Sequence, residues 1–248
     1  LIEIISQATN KTSNQVRGQI RTVGSAMMFL ASNPSSINPI KKSLGYSESD
    51  NISVNQLAQQ IVQKIREAER VSVFNEYGEK EGSIITGMVQ RFERGNLFID
   101  MGKATAILPF EEQIPGEFYR RGERIRAYLY SVEETPRGVN LKLSRTHPEL
   151  IEGLFAMEAP EIAGGVVEIK SIAREAGSRS KIAVFSNDEH VDPVGSCVGQ
   201  KGVRVTTVMS ELNGEKIDII PWSPDPETYI ASAISPANVL KIEVNEQE

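Results

Sequence analysis

The sequence predicts an α+β chain made of more than one domain. Apolar residues recur at helical spacing over residues 53–68, give way to short strand-like runs over 81–145, and then alternate between helix and strand patterns. The 248 residues exceed an average domain of roughly 150. Apolar residues at 40% and charged residues at 24% are ordinary for globular proteins, so each region can bury a core.

Composition removes several function classes. No run approaches the ~18 apolar residues of a membrane helix, and Ala26–Ala31 is only a helix fragment. Leu1-Ile2-Glu3-Ile4-Ile5 lacks the basic start and cleavage pattern of a secretory signal. The single Cys197 allows no intrachain disulfide, and with only His147 and His190 beside it neither a metal site nor a cofactor is expected. These features point to the cytoplasm and to no membrane partner. A net charge of -6 argues against coating nucleic acid through bulk electrostatics, so any such contact needs local basic patches.

Residues 1–52 are a helical segment with no domain assignment. Gln15–Ala31 suggests a helix that Gly18 and Gly24 interrupt, and Asn33–Pro39 reads as a turn. Ser53–Ala68 is a clear helix: Ser53 is an N-cap, and Val54, Leu57, Ala58, Ile61, Val62, Ile65 and Ala68 form one stripe. It leads through Val71–Tyr77 into the next domain.

Five short strands follow: Gly82–Gln90, Asn96–Met101, Ala104–Leu108, Ile125–Val132 and Val139–Ser144. Leu97, Ile99 and Met101 alternate with Phe98 and Asp100, Val139, Leu141 and Leu143 alternate likewise, and Pro136-Arg137-Gly138 is a hairpin turn. Five strands with a longer crossing, Pro109–Arg121, suit an OB-type barrel, with a small sandwich as the structural alternative. Lys103, Arg120, Arg121, Arg124 and Arg126 form a local basic set or a solvated surface.

The remainder reads helix (Pro148–Ala159), strand (Gly165–Ala173), strand (Ser180–Phe185), helix (Pro193–Val198), helix (Val203–Leu212), strand (Glu215–Pro221) and a last helix, Asp225–Ile234. Between the two middle helices lies Gly199-Gln200-Lys201-Gly202. Two glycines three apart let a backbone turn tightly and approach another polymer. The next helix aims its positive end there, and Lys201 and Arg204 add charge, which together suit a phosphate chain. On its own the loop is also an ordinary helix–helix turn. It lacks the Lys-Ser/Thr ending of a nucleotide-hydrolysing loop. His190 beside Asp188 and Asp192 has no serine nucleophile or oxyanion loop with it, so no catalysis is expected. Cys197 reads as a small buried hydrophobe, His147 as a boundary residue, and Trp222 as packing under the final helix or as a base-stacking ring.

The blocks Pro160-Glu161-Ile162, Gly177-Ser178-Arg179-Ser180-Lys181-Ile182-Ala183-Val184, Asp192–Val198, Gly199–Gly202 and Glu211–Ile219 closely resemble the first KH domain of the NusA family of bacterial transcription factors. The element order is that of the type II (prokaryotic) KH fold. Ile61–Arg70 resembles that family's linker helix and Glu81–Gly87 the start of its S1-like barrel. The resemblance implies a linker helix and barrel entry over 53–80, a five-stranded S1-like OB-fold barrel over 81–146, and a type II KH domain over 147–248 that runs into a further segment. It also implies a fragment or shortened member, since residues 1–50 do not align with the family's longer N-terminal domain and a second KH domain is expected after Val239–Val244.

The implied function is RNA binding within a transcription elongation, termination and antitermination factor. Its partners would be single-stranded nascent RNA, RNA polymerase and other antitermination factors, and the chain itself a monomer. KH grooves take about four unpaired nucleotides, with the GXXG backbone on the phosphates. The expected contacts are Val198, Gly199, Gln200, Lys201, Gly202 and Arg204, with Arg179 and Lys181 on the KH strands and Phe98 and Arg137 on the barrel. S1-type barrels carry an aromatic pair on the second strand; Phe98 aligns with one member and Gly95 with the other, while Phe92 and Phe110 are substitutes or core. Two other classes remain: a scaffold on RNA polymerase with a weakened groove, and an accessory KH/S1 region of an RNA-processing enzyme. Polynucleotide phosphorylases combine the same modules in the reverse order. The short Ser144–Pro148 connection, without glycine, predicts that barrel and KH domain pack as one semi-rigid body.

Overall fold

The computed structural model describes residues 1–9, 11–136, 138–237 and 239–244. It divides into two compact units, Leu1–Glu76 and Tyr77–Glu248. No helix among the described residues is long and apolar enough to cross a membrane.

The first unit is helical: α1 (Ile2–Thr9), α2 (Ser13–Gln19), α3 (Val23–Ser32), α4 (Ile37–Ser43) and α5 (Val54–Gly78). The break expected at Gly18 or Gly24 falls between them. Thr22 accepts from the Ser25 amide while Ser25 returns a bond to the Thr22 amide, and this reciprocal cap starts a new helix. Thr12 and Gln15 do the same for α2. The turn expected over Asn33–Pro39 shrinks to a single 3-10 turn, Pro34–Ser36. Pro39 then sits in the first turn of α4, where its missing N–H removes no helical bond. The helix read as ending at Ala68 continues to Gly78, because no glycine or proline interrupts it before that residue. Leu57, Ala58, Ile61, Val62 and Ile65 of the expected stripe are buried with Ile5, Val16, Ile20, Phe29, Leu30 and Ile40; Val54 and Ala68 at its ends are exposed.

In the second unit β1 (Ile84–Glu93), β2 (Asn96–Asp100), β3 (Thr105–Leu108), β4 (Arg124–Thr135) and β5 (Gly138–Ser144) close a barrel in the order β1-β2-β3-β5-β4. β3 and β5 pair in parallel and the other neighbours antiparallel. The barrel, rather than the sandwich, follows from β1 pairing with both β2 and β4. Ile85, Val89, Leu97, Ile99, Ala106, Leu108, Ile125, Ala127, Leu129, Leu141 and Leu143 are buried, as the period of two demands. Gly87 admits the close packing beside β2: a Cβ there would lie 2.4 Å from Ile99 Cγ2 and 2.5 Å from Met101 Sδ.

The chain continues as α6 (Pro148–Glu158), α7 (Pro160–Ala163), β6 (Val167–Glu175), β7 (Arg179–Ser186), α8 (Pro193–Val198), α9 (Val203–Glu211), β8 (Lys216–Pro221) and α10 (Pro226–Ile234). β6, β7 and β8 form one sheet in that order, with β7 and β8 parallel. From α7 onward the order is that of the type II KH fold.

Barrel and KH domain pack through three features. Leu150, Ile151, Leu154 and Phe155 of α6 are all buried, and the core they join also takes in Ile84 and Tyr128 of the barrel. A Cβ at Gly153 would lie 2.6 Å from Ile84 Cδ1, so glycine permits that contact. His147 caps α6, its Nδ1 accepting from the Glu149 amide at 3.3 Å, and its ring stacks on Tyr128 at 4.5 Å. Beneath these lie two buried arginines. Arg174 donates to both carboxylate oxygens of Glu215, at 3.0 and 2.9 Å, and to the His147 carbonyl at 2.8 Å. Arg145 donates to Glu117 on the barrel side, to the Arg126 carbonyl, and to the carboxylate and carbonyl of Glu211 at the end of α9.

Two outcomes are expected. Burial pushes the Glu215 carboxyl up, but bonds from Arg174, Ser180 and the Gly177 amide outweigh it and hold the group below its ordinary value of 4.5. A depressed folded value means the pair stabilises the fold above pH 4.5 and loses that contribution as pH falls through the folded value. Urea midpoints of Glu215→Gln should therefore lie below wild type at neutral pH and converge with it in acid; a constant gap would refute this. Arg145→Met, which strands the Glu117 carboxylate and leaves Glu211 to Arg126 alone, should cost about 3–5 kcal/mol in urea unfolding.

Candidate nucleic-acid interface

Asp192 caps α8, its Oδ1 accepting from the Val194 amide at 3.1 Å, and the helix ends at Val198, itself half-buried. Gly199 then adopts φ 73°, ψ 175°, a conformation closed to side-chain-bearing residues. Lys201 sits in the left-handed region at φ 53°, ψ 26°, and Gly202 follows at φ 77°. The Gly202 amide donates to the Gly199 carbonyl at 3.1 Å, closing the turn. Gln200 and Lys201 are exposed at its tip, with the start of α9 directly behind them. The nine residues of α9 place a positive helix end where an anion would approach.

Arg204, expected to add charge here, is engaged within the domain. Its guanidinium donates to Glu161 of α7 at 2.9 Å and to the Ser196 carbonyl at 2.6 Å. Its stem fills the space beside Gly199, where a Cβ would lie 2.7 Å from Arg204 Cγ. The side chain thus braces the loop from behind. Cys197 is fully buried beneath it, and burial pushes its thiol up to about 12, which leaves it inert.

On the barrel, Phe98 of β2 lies opposite Arg91 of β1, whose guanidinium covers the ring at 4.0 Å from its centre. Gly95 leaves a gap in the aromatic pair, and Phe110 fills it: its Cβ lies 3.5 Å from where a Gly95 Cβ would be. Phe110 is held there by its amide, which donates to Asn96 Oδ1 at 3.0 Å, and its side chain is exposed. Phe92 is also exposed, so neither ring is core. Arg91 thus covers Phe98, and Phe110 stands exposed beside Gly95.

Residues 145–222 match the NusA-like first KH domain, and residues 79–144 match the S1 RNA binding domain. The chain is 52% identical over 194 residues to the transcription termination/antitermination protein NusA of Halalkalibacterium halodurans, covering 78% of this chain and 51% of that protein. It is 50% identical over 194 residues to the Bacillus subtilis protein of the same name, covering 78% and 52%, and 48% identical over 199 residues to that of Thermus thermophilus, covering 80% and 51%. The chain belongs to the NusA family. It spans about half the length of these relatives.

The family resemblance also nominated Arg179, Lys181 and Arg137. Arg179 is exposed but paired with Asp218 of β8 at 2.8 Å. Lys181 donates to the Ala233 and Ser235 carbonyls at the end of α10. Arg137 lies outside the described residues. Trp222 is half-buried, edge-on to Phe185 at 5.5 Å, with Lys170 over both rings.

Sequence reasoning missed Arg145, Arg174 and their carboxylate partners, because partners 28 to 66 residues apart leave no local pattern. It also passed over Phe118, which is 90% exposed in the β3–β4 connection. An aromatic residue directly before Tyr119-Arg120-Arg121 was the available signal.

Gly199→Ala should destabilise the chain by about 1–3 kcal/mol, because it combines a forbidden backbone conformation with overlap on Arg204. Gly45→Ala, also at positive φ but with open space around it, should cost less. Equal urea midpoints for the two variants would show that Arg204 does not brace the loop.

Proposed function

We propose that this chain is the RNA-binding part of a transcription elongation, termination and antitermination factor. The observation that carries the reading is the Gly199–Gly202 turn, held in shape from behind and presenting Gln200, Lys201 and the start of α9 outward. Backbone amides and one lysine there meet phosphates, while bases lie toward the KH groove. The S1 barrel contributes Phe98 with Arg91 and Phe110 as a stacking surface. Nascent single-stranded RNA is the ligand, and RNA polymerase and other antitermination factors are the protein partners; the relatives' name, transcription termination/antitermination protein, fits a place in that process. The chain acts in the cytoplasm, as a monomer and without catalysis or cofactor.

One observation favours a second reading, a scaffold on RNA polymerase with a weakened groove: Arg204, Arg179 and Lys181 are all engaged within the protein. The same experiment separates the two. Replacing Gln200 and Lys201 together with aspartate alters an exposed tip and should leave unfolding unchanged. The two carboxylates should repel phosphate and abolish binding of a short single-stranded RNA in fluorescence anisotropy. Unchanged affinity in the folded variant would favour the scaffold. The unaltered chain should bind such an RNA at micromolar level or weaker, since one KH groove reads few nucleotides and avidity comes from linked modules.

A further inference from the structure

We propose that the β3–β4 connection of the barrel is a second contact for the same RNA strand, through Phe118, Arg120, Arg121 and Arg124. This rests on the reading of the Gly199–Gly202 turn as a phosphate contact. Phe118 is 90% exposed, while its neighbours are anchored: Tyr119 donates to Glu117 at 2.6 Å, and Glu117 is held by buried Arg145. The ring therefore stands out from a rigid base, available to stack on a nucleobase at no ordering cost to the backbone. Arg120, Arg121 and Arg124 are exposed, and their guanidinium groups make no ion pair or hydrogen bond among the described residues. That separates them from Arg126, Arg145, Arg174, Arg179 and Arg204, each of which faces a carboxylate. In a chain of net charge -6, three unpaired guanidinium groups beside an exposed ring match a polyanion with flat bases.

The position of this connection sets which part of the strand it meets. It is fastened to the C-terminal end of α9, where Glu211 takes bonds from Arg126 and Arg145. The Gly199–Gly202 turn sits at the other end of the same helix. Nine residues rising ~1.5 Å each separate the two by roughly 13 Å, a span of a few nucleotides. Between them the exposed residues of α9 are Val203, Thr206, Thr207 and Ser210, none of them acidic. The Glu211 carboxylate at its end is already paired with arginines. A strand leaving the GXXG turn along α9 thus meets no acidic side chain of that helix before Glu211; beyond it Glu123, which accepts from the Arg120 amide, stands exposed beside Arg124.

The test uses the whole chain and two single-stranded RNAs, one of five nucleotides and one of ten. The longer RNA should bind about tenfold more tightly through a stacked base and added phosphate contacts. In Phe118→Ala and in the combined Arg120→Gln, Arg121→Gln, Arg124→Gln variant that gain should disappear, while affinity for the five-mer stays at the wild-type value. The triple variant should also lower the salt slope for the ten-mer by about 0.7 per lost phosphate contact. All these side chains are exposed, so circular dichroism should be unchanged. A length gain that persists in both variants overturns the proposal. So does loss of RNA polymerase binding with RNA affinity intact, which would assign the connection to an acidic protein surface. If the Gln200→Asp, Lys201→Asp variant keeps its five-mer affinity, it is the reading of the turn itself that fails.

Discussion

Arg145 is 2% exposed and yet carries a full charge, and much of the second unit is arranged around making that tolerable. Burying a guanidinium is costly unless every donor finds an acceptor. Here all five N–H groups do: two on Glu117, one on the Arg126 carbonyl, and two on the carboxylate and carbonyl of Glu211. These partners come from the β3–β4 connection, from β4 and from the end of α9. A planar fork with five fixed directions leaves little freedom in how the barrel meets the KH domain. Arg174 repeats the arrangement one layer away, tying β6 to Glu215 before β8 and to the His147 carbonyl in the joint. Such pairs contribute less to net stability than apolar contacts of equal volume; what they supply is a defined geometry.

That geometry is what a binding surface of modest reach needs. A KH turn grips a few nucleotides, so affinity for a longer strand depends on what stands next to it and in which direction. With α9 anchored at its far end through Glu211, the turn at its near end has a fixed distance to the β3–β4 connection. Arg204 works on a smaller scale toward the same result. By filling the space beside Gly199 and bonding to Glu161 and Ser196, it keeps the loop in a strained conformation before any ligand arrives. Preorganisation of this kind lowers the entropy lost on binding.

Much of the fold was legible because its signals are local. The stripe of Leu57, Ala58, Ile61, Val62 and Ile65, the alternation of Leu97 with Ile99, and the two glycines of the turn each express a short-range backbone or burial requirement. The errors were local as well: side-chain caps at Thr12 and Thr22 overrode glycine as the sites where helices start. At the candidate site the residue types were legible and their availability was not. Lys201 and Arg204 look alike in sequence, but one stands at the tip of the turn and the other is spent on bracing it.

The sequence by itself determined the order of elements, the inward faces of the strands and the tight turn that the paired glycines of the Gly199–Gly202 loop allow. Each of these depends on periodicity or on residues within a few positions of one another. Only the tertiary structure decided which cations remain free. It placed Phe110 over Gly95, gave Lys181 to the end of α10, and buried Arg145 and Arg174 against carboxylates 28 to 66 residues away. A charge is neutralised by whatever lies within a few ångströms of it, and that distance is set by chain packing rather than by position along the chain.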